Sequence, residues 1–251
     1  MVRIVFFISA DTVGLEILKS LSQLPKKSLA LVLLNSNSQS EKILDSLNLR
    51  DQIIYSGMGI PPWHEIKTAI SGIDRLLGFS WFPHIFPEDI INIFERGILN
   101  LHNSFLPFNR GRHSTFWGIY DNTPFGASLH WVDTQIDRGK IVEQIAIHVP
   151  KFANASTIYD LQLEACVKLA NNYIPRLLLE LPVGQEQNSK IGSHHYAREI
   201  DSVTQVKAST QVSWSEVVKL IRATSTDSGS IQIEFEDGGD TVKIWGKVIY
   251  P

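Results

Sequence analysis

The chain has 251 residues, 43% of them apolar and 20% charged, enough for one full α/β core with a small second module beside it. Its 23 Lys and Arg stand against 26 Asp and Glu, so no basic excess is available to neutralise many phosphates, which argues against a general nucleic-acid binder. The single Cys166 can close no intramolecular disulfide, and its surroundings, LEACVKLA, put it on the apolar stripe of a helix as a packed thiol.

The first apolar run, Val2 to Ile8, ends at Ser9 and Asp11 and is too short for a signal-peptide core or a membrane span. It reads as a buried strand, and a cytoplasmic location is expected. A helix follows near Thr12 to Leu24, then a strand at Leu29 to Leu34 and a helix near Gln39 to Leu47. Pro61 and Pro62 open another helix, WHEIKTAI, and Arg75 to Phe79 reads as the next strand, followed by an aromatic loop from Ser80 to Pro83. Such alternation predicts an α/β fold with a mostly parallel, Rossmann-like sheet flanked by helices. Ligands sit at the strand carboxyl ends of such sheets.

Beyond Gly97, the segment ILNLHNSFLPFNRG begins as a strand and must leave the ladder by Pro107, which has no N–H to donate. Strands are expected at Ala127 to Val132 and Lys140 to Val149, joined by the polar loop Asp133 to Gly139, with a long helix from about Ser156 to Leu179. These elements make a domain of residues 1–182. The stretch from Pro182 to Ser193 reads as a linker into a C-terminal α+β appendix, residues 183–251. There Ser213 and Glu216 form a capping box for the helix WSEVVKLIRAT. Ile231 to Phe235 and Val242 to Ile249 flank the turn from Asp237 to Asp240 as a β-hairpin. The hairpin edge could pair with a second copy, giving a homodimer, or be covered.

Chemically able side chains are densest between Asn100 and Asp137. Asn100 and His102 are two apart on a strand end, so both emerge on one face while Leu99 and Leu101 turn the other way. His130 lies within a strand, and Asp133 and Asp137 sit on the loop leaving it. An amide donor, an imidazole and a carboxylate suit acyl or formyl transfer: the reaction needs a donor for the developing oxyanion, a base for the amine proton and a group that sets the imidazole's state. Ser104 lies outside any Gly-x-Ser-x-Gly elbow, which leaves a serine hydrolase without its local signature. A buried polar network on a strand edge is the alternative reading.

The run Asn100-x-His102-x-Ser104-x-Leu106-Pro107-x-x-Arg110-Gly111 resembles the signature of 10-formyltetrahydrofolate-dependent formyltransferases. The stretch from Ser128 through His130, Asp133 and Ile136 to Asp137 and Gly139 resembles the same family's second motif. The resemblance covers roughly residues 1–180. It implies that Asn100, His102 and Asp137 are catalytic and that His130 is a structural or tuning residue. It also implies a folate site walled by Phe79, Trp81, Phe82, Asp133 and Ile136, with 10-formyltetrahydrofolate as co-substrate and no metal. Adjacent His194 and His195 lack metal-ligand spacing.

Within the family, Ser9 to Gly14 lacks the glycine- and serine-rich phosphate loop of the purine-pathway members. Residues 190–251 carry no excess of Lys and Arg, unlike the basic appendix of the initiator-tRNA members. Length and appendix look similar to the enzymes that formylate nucleotide-linked amino sugars, such as a dTDP-4-amino-4,6-dideoxyhexose used in lipopolysaccharide O-antigen synthesis. Ser193 to Tyr196 resembles a His-Tyr stretch of that group. Ser104, Arg110, His113 and Trp117 are then the expected acceptor contacts, Arg110 for a pyrophosphate and Trp117 for stacking. The other readings are a methionyl-tRNA or other amine formyltransferase and a non-catalytic folate-binding module, against which the intact Asn100, His102 and Asp137 argue.

Overall fold

The computed structural model describes residues 3–151, 153–188, 190–207, 213–225, 233–237 and 240–244. In chain order the elements are β1 (Arg3–Ser9), α1 (Thr12–Ser20), β2 (Leu29–Leu34), α2 (Ser38–Leu47), β3 (Ile53–Gly57), α3 (Trp63–Ile70), β4 (Leu76–Trp81), α4 (Glu88–Ile91) and β5 (Ile98–His102). There follow β6 (Arg110–Gly111), α5 (Ser114–Tyr120), β7 (Gly126–Trp131), β8 (Ile141–Ala146), α6 (Ala155–Tyr173), β9 (His194–His195), α7 (Glu199–Thr204), β10 (Gln205–Lys207), α8 (Trp214–Thr224), β11 (Ile233–Asp237) and β12 (Asp240–Ile244).

One compact unit comprises residues 1–102, 128–144 and 163–187, the other 103–127, 145–162 and 188–251. The boundary read at residue 182 therefore gives way to a chain that passes repeatedly between units. Residues 183–187 belong with the first because Ile141 and Gln185 exchange both backbone hydrogen bonds, at 2.8 and 2.7 Å. The expected appendix does not stand apart either, since its helices share a core with α5.

The first unit is built on a seven-stranded sheet in the order β3-β2-β1-β4-β5-β7-β8. Pairs β1–β2, β1–β4, β2–β3 and β4–β5 are parallel, and β5–β7 is antiparallel. Ile4 to Ile8 and Leu29 to Leu34 are buried on both faces, which is why their sequences run apolar without alternation. Val5, Phe7, Val32, Ile66, Leu76, Phe86 and Ile98 form one core under α3 and α4. The chain winds one way from β1 and the other way from β4, so the switch point lies between their carboxyl ends.

The second unit gathers Phe116, Trp117 and Ile119 of α5, Ile158 of α6, Ile200 of α7 and Leu220 and Ala223 of α8 around a separate core. Helix α8 carries the expected capping box between Ser213 and Glu216. Strands β11 and β12 pair antiparallel as the expected hairpin; its turn glycines and the outer ends of both expected strands fall outside the described residues. Among the described residues no helix is long and apolar enough to cross a membrane.

Candidate active site

Asn100 and His102 end β5, with Leu99 and Leu101 buried between and behind them. The antiparallel register sets Asn100 opposite His130 and His102 opposite Ser128, so four polar side chains share one face. On the other side Ser80 of β4 pairs with Asn100 and is fully buried. Gln144 Nε2 donates to Ser128 Oγ at 2.9 Å, bracing the β7 end of this face.

Asn100 Nδ2 lies 3.1 Å from His130 Nε2, and His130 Nδ1 lies 2.8 Å from the Trp131 carbonyl oxygen. A carbonyl only accepts, so Nδ1 carries the proton and Nε2 accepts a hydrogen bond from the Asn100 amide. Burial, the largest influence, holds the His130 imidazole below its ordinary pKa, outweighing the pull of Asp137 in the other direction. His130 is thus a neutral acceptor that fixes which way the Asn100 amide points.

The β7–β8 loop delivers Asp137 to the same place. Its carboxylate lies 3.7 Å from His102 Nε2 and 3.6 Å from His130 Nε2, with both imidazoles and the carboxylate largely buried. The two rings stand nearly perpendicular, 6.3 Å apart. Asp137 adopts φ +53°, a left-handed conformation uncommon for a residue with a Cβ. Gly139 follows because a Cβ there would come within 1.8 Å of the Trp131 carbonyl oxygen.

The expected folate wall is differently disposed. Phe79 is fully buried and packs on Phe6 at 5.6 Å, so it belongs to the core and presents no face to a ligand. Phe82 is half-buried among Phe7, Trp63 and Phe86. Trp81 Nε1 donates to both carboxylate oxygens of Asp11, at 2.7 and 2.9 Å, across the switch point. Asp11 also caps α1 by accepting from Gly14 N, and burial raises its pKa. Asp133 is exposed and accepts from Gln135 N, while Ile136 is half-buried.

The acceptor candidates differ in exposure. Trp117 is 3% exposed, and its ring is stacked on His195, with centroids 3.9 Å apart and planes 5° apart, so that face is already covered. Arg110 is 6% exposed because β6 pairs with β9, and Gly111 at φ +91° lets the His195 carbonyl approach where a Cβ would sit 2.3 Å from it. Ser104 is buried. Only His113 of the four is exposed, at φ +59° ahead of α5, with its pKa lowered by desolvation and then by Arg112. His195 instead bonds Asp121 at 2.9 Å. Cys166 is fully buried and burial pushes its thiol up, far from a nucleophile's range. Among the described residues no group of three or more His, Cys, Asp or Glu is arranged to hold a metal ion.

Two glutamines that the sequence does not single out hold backbone carbonyls in place. Gln187 donates to the backbone carbonyls of Asp137 and Gly139. Gln162, fully buried on α6, donates to the Asn103 carbonyl and accepts from Thr115 Oγ1, and Ser114 Oγ donates to the same carbonyl. A lone Gln carries no local signal of either role.

Residues 78–172 match a family model described as Formyl transferase. A methionyl-tRNA formyltransferase from Bacteroides thetaiotaomicron is 25% identical over 138 residues, 54% of this chain; the match spans only 41% of that relative's length. A 4-N formyltransferase from Francisella tularensis has a similar structure, with TM-score 0.76, 19% identity and 99% of each chain covered. The N-formyltransferase from Helicobacter canadensis, solved with folinic acid and dTDP-3-aminofucose, superposes with TM-score 0.72 and 16% identity, covering 97% of this chain and 87% of that one. These likenesses establish the fold.

Proposed function

We propose that this protein is an N-formyltransferase that moves a formyl group from 10-formyltetrahydrofolate to the amino group of a nucleotide-linked amino sugar. The observation that carries the proposal is the grouping of Asn100, His102 and His130 on one face of β5 and β7 with Asp137 of the β7–β8 loop beside them. The folate supplies an activated formyl group. The donor set fits it: an amide N–H for the formyl oxygen, an imidazole for the proton of the attacking amine, and a carboxylate within ion-pair range of that imidazole.

Asn100 meets the negative charge that develops on the formyl oxygen, with its amide held by His130 so that little reorganisation is needed as charge grows. His102 takes the proton that the amine loses as its nitrogen bonds to the formyl carbon, and Asp137 stabilises the resulting imidazolium. His102 then returns the proton to the folate nitrogen as the bond from that nitrogen to the formyl carbon breaks and tetrahydrofolate leaves. No side chain forms a covalent bond. The half-buried Trp81, Phe82 and Ile136 and the exposed Asp133 are the residues offered to the folate, and His113 to the acceptor.

The sugar acceptor is supported by similarity along nearly the whole chain to N-formyltransferases, one solved with a dTDP-linked amino sugar. The Bacteroides relative keeps a tRNA-linked amine as the second reading. A panel of dTDP-, UDP- and GDP-linked amino sugars, with charged initiator tRNA and glycinamide ribonucleotide alongside, is scanned by mass spectrometry for a formyl mass gain. Modification of a nucleotide sugar and not of the free amino sugar is expected. Modification of the tRNA or the ribonucleotide alone would sink the sugar assignment and leave the chemistry standing.

A further inference from the structure

The segment that reads as a linker is docked onto the sheet's last strand. Ile141 and Gln185 exchange backbone hydrogen bonds, and Gly184 lies so close to Lys140 and Trp131 that a Cβ would come within 2.6 Å of the Lys140 Cβ. Lys140 and Glu186 pair at 3.2 Å. The next residue, half-buried Gln187, turns its amide nitrogen to two carbonyls of the catalytic loop, Asp137 O at 2.8 Å and Gly139 O at 2.9 Å. Both N–H groups of one amide are thereby aimed at the backbone on either side of Arg138.

We propose that Gln187 is a positioning residue for Asp137, and through it for the His102 imidazole. This inference rests on the formyltransferase reading. Asp137 is held at φ +53°, a conformation that persists only where surrounding structure over-determines it. A β-region alternative would swing the carboxylate away from His102 and His130. Holding the carbonyls of residues 137 and 139 from one side opposes that rotation, because a change of φ at Asp137 must move its carbonyl oxygen. Both partners are acceptors, so the side chain at 187 has to be a donor, and a carboxylate there would oppose two carbonyl dipoles.

The test uses three full-length variants. Gln187→Met keeps the shape and loses the donor, Gln187→Glu replaces it with acceptors, and Gln187→Lys restores a donor of similar reach. Formyl transfer is measured with 10-formyltetrahydrofolate and the accepted amine, alongside thermal melting. Misplacement of the carboxylate should lower kcat in Gln187→Met by on the order of tenfold to a hundredfold, with KM for both substrates within about twofold. Gln187→Glu should be slower still, and Gln187→Lys should regain most of the loss. Equal turnover in all four proteins, or a loss that Lys does not repair and that tracks melting temperature, overturns the proposal. Amide hydrogen exchange over residues 134–139 is read in the same proteins. Faster exchange in the Met and Glu variants and near-native exchange in the Lys variant are expected. Should the wild-type chain formylate no amine, the proposed function fails while exchange still decides the clamp: unchanged exchange removes it.

Discussion

Asn100 and His130 meet across β5 and β7, with Asn100 Nδ2 3.1 Å from a ring nitrogen that can only accept. The amide is oriented before any substrate arrives. Replacing Asn100 by Ala should lower turnover by roughly two to three powers of ten, the loss of one oxyanion donor, with folate affinity nearly intact. His130→Leu keeps Asn100 but removes its anchor, so a smaller loss, about tenfold, is expected. Pre-steady-state rates and folate titration check both, and a turnover number unchanged in Asn100→Ala would take the amide out of the mechanism.

His102 and Asp137, 3.7 Å apart, are expected to work as one unit. His102→Asn and Asp137→Asn should each reduce turnover severely, and the double variant should be little worse than the worse single. Multiplicative losses would show two independent contributions.

Much of the fold was legible because local signals agree with the tertiary result. The apolar runs of β1 and β2 lie in the middle of a sheet covered on both faces, and the helix expected at WHEIKTAI spans Trp63–Ile70. Alternation of Asn100 and His102 with buried leucines placed both on one face. What escaped has physical reasons. Helix α5 starts at His113 with no side-chain cap and is held by burying Phe116 and Trp117, so nothing local announces it. The pairing of β6 with β9 involves two residues on each side and is long-range, which turned an expected stacking Trp117 into the partner of His195. Gln187 looked like linker because its partners are backbone carbonyls fifty residues away.

Gln162→Leu tests the support beneath Asn103. The variant keeps the volume but leaves the Asn103 carbonyl with Ser114 Oγ and the Thr115 hydroxyl without its acceptor. A buried group losing its partner costs about 1–3 kcal/mol, which for a chain of this size lowers the melting temperature by roughly 2–12 °C. A melt indistinguishable from wild type would mean that this network contributes nothing net.

His130 makes stability depend on pH with a definite sign. Burial lowers its folded-state pKa below the ordinary 6.5, so between those two values the unfolded chain binds a proton that the folded chain does not. Stability must then rise with pH across that window: it is fully present above about 6.5 and is lost as pH falls below it toward the folded-state value. His113 is shifted the same way but is exposed, so its share is smaller. Comparison with His130→Gln, which cannot titrate, cancels His113 and the carboxylates that do not face His130. The stability difference between wild type and the variant, from denaturant melts at intervals from pH 5 to 8, should shift against the wild type as the solution is acidified and be flat above pH 7. A difference that is constant with pH would mean that folding leaves the His130 pKa unshifted, and one that favours the wild type in acid would mean that His130 is protonated in the folded protein. It could then no longer accept from Asn100, and the neutral-acceptor account of the amide's orientation would fall with it.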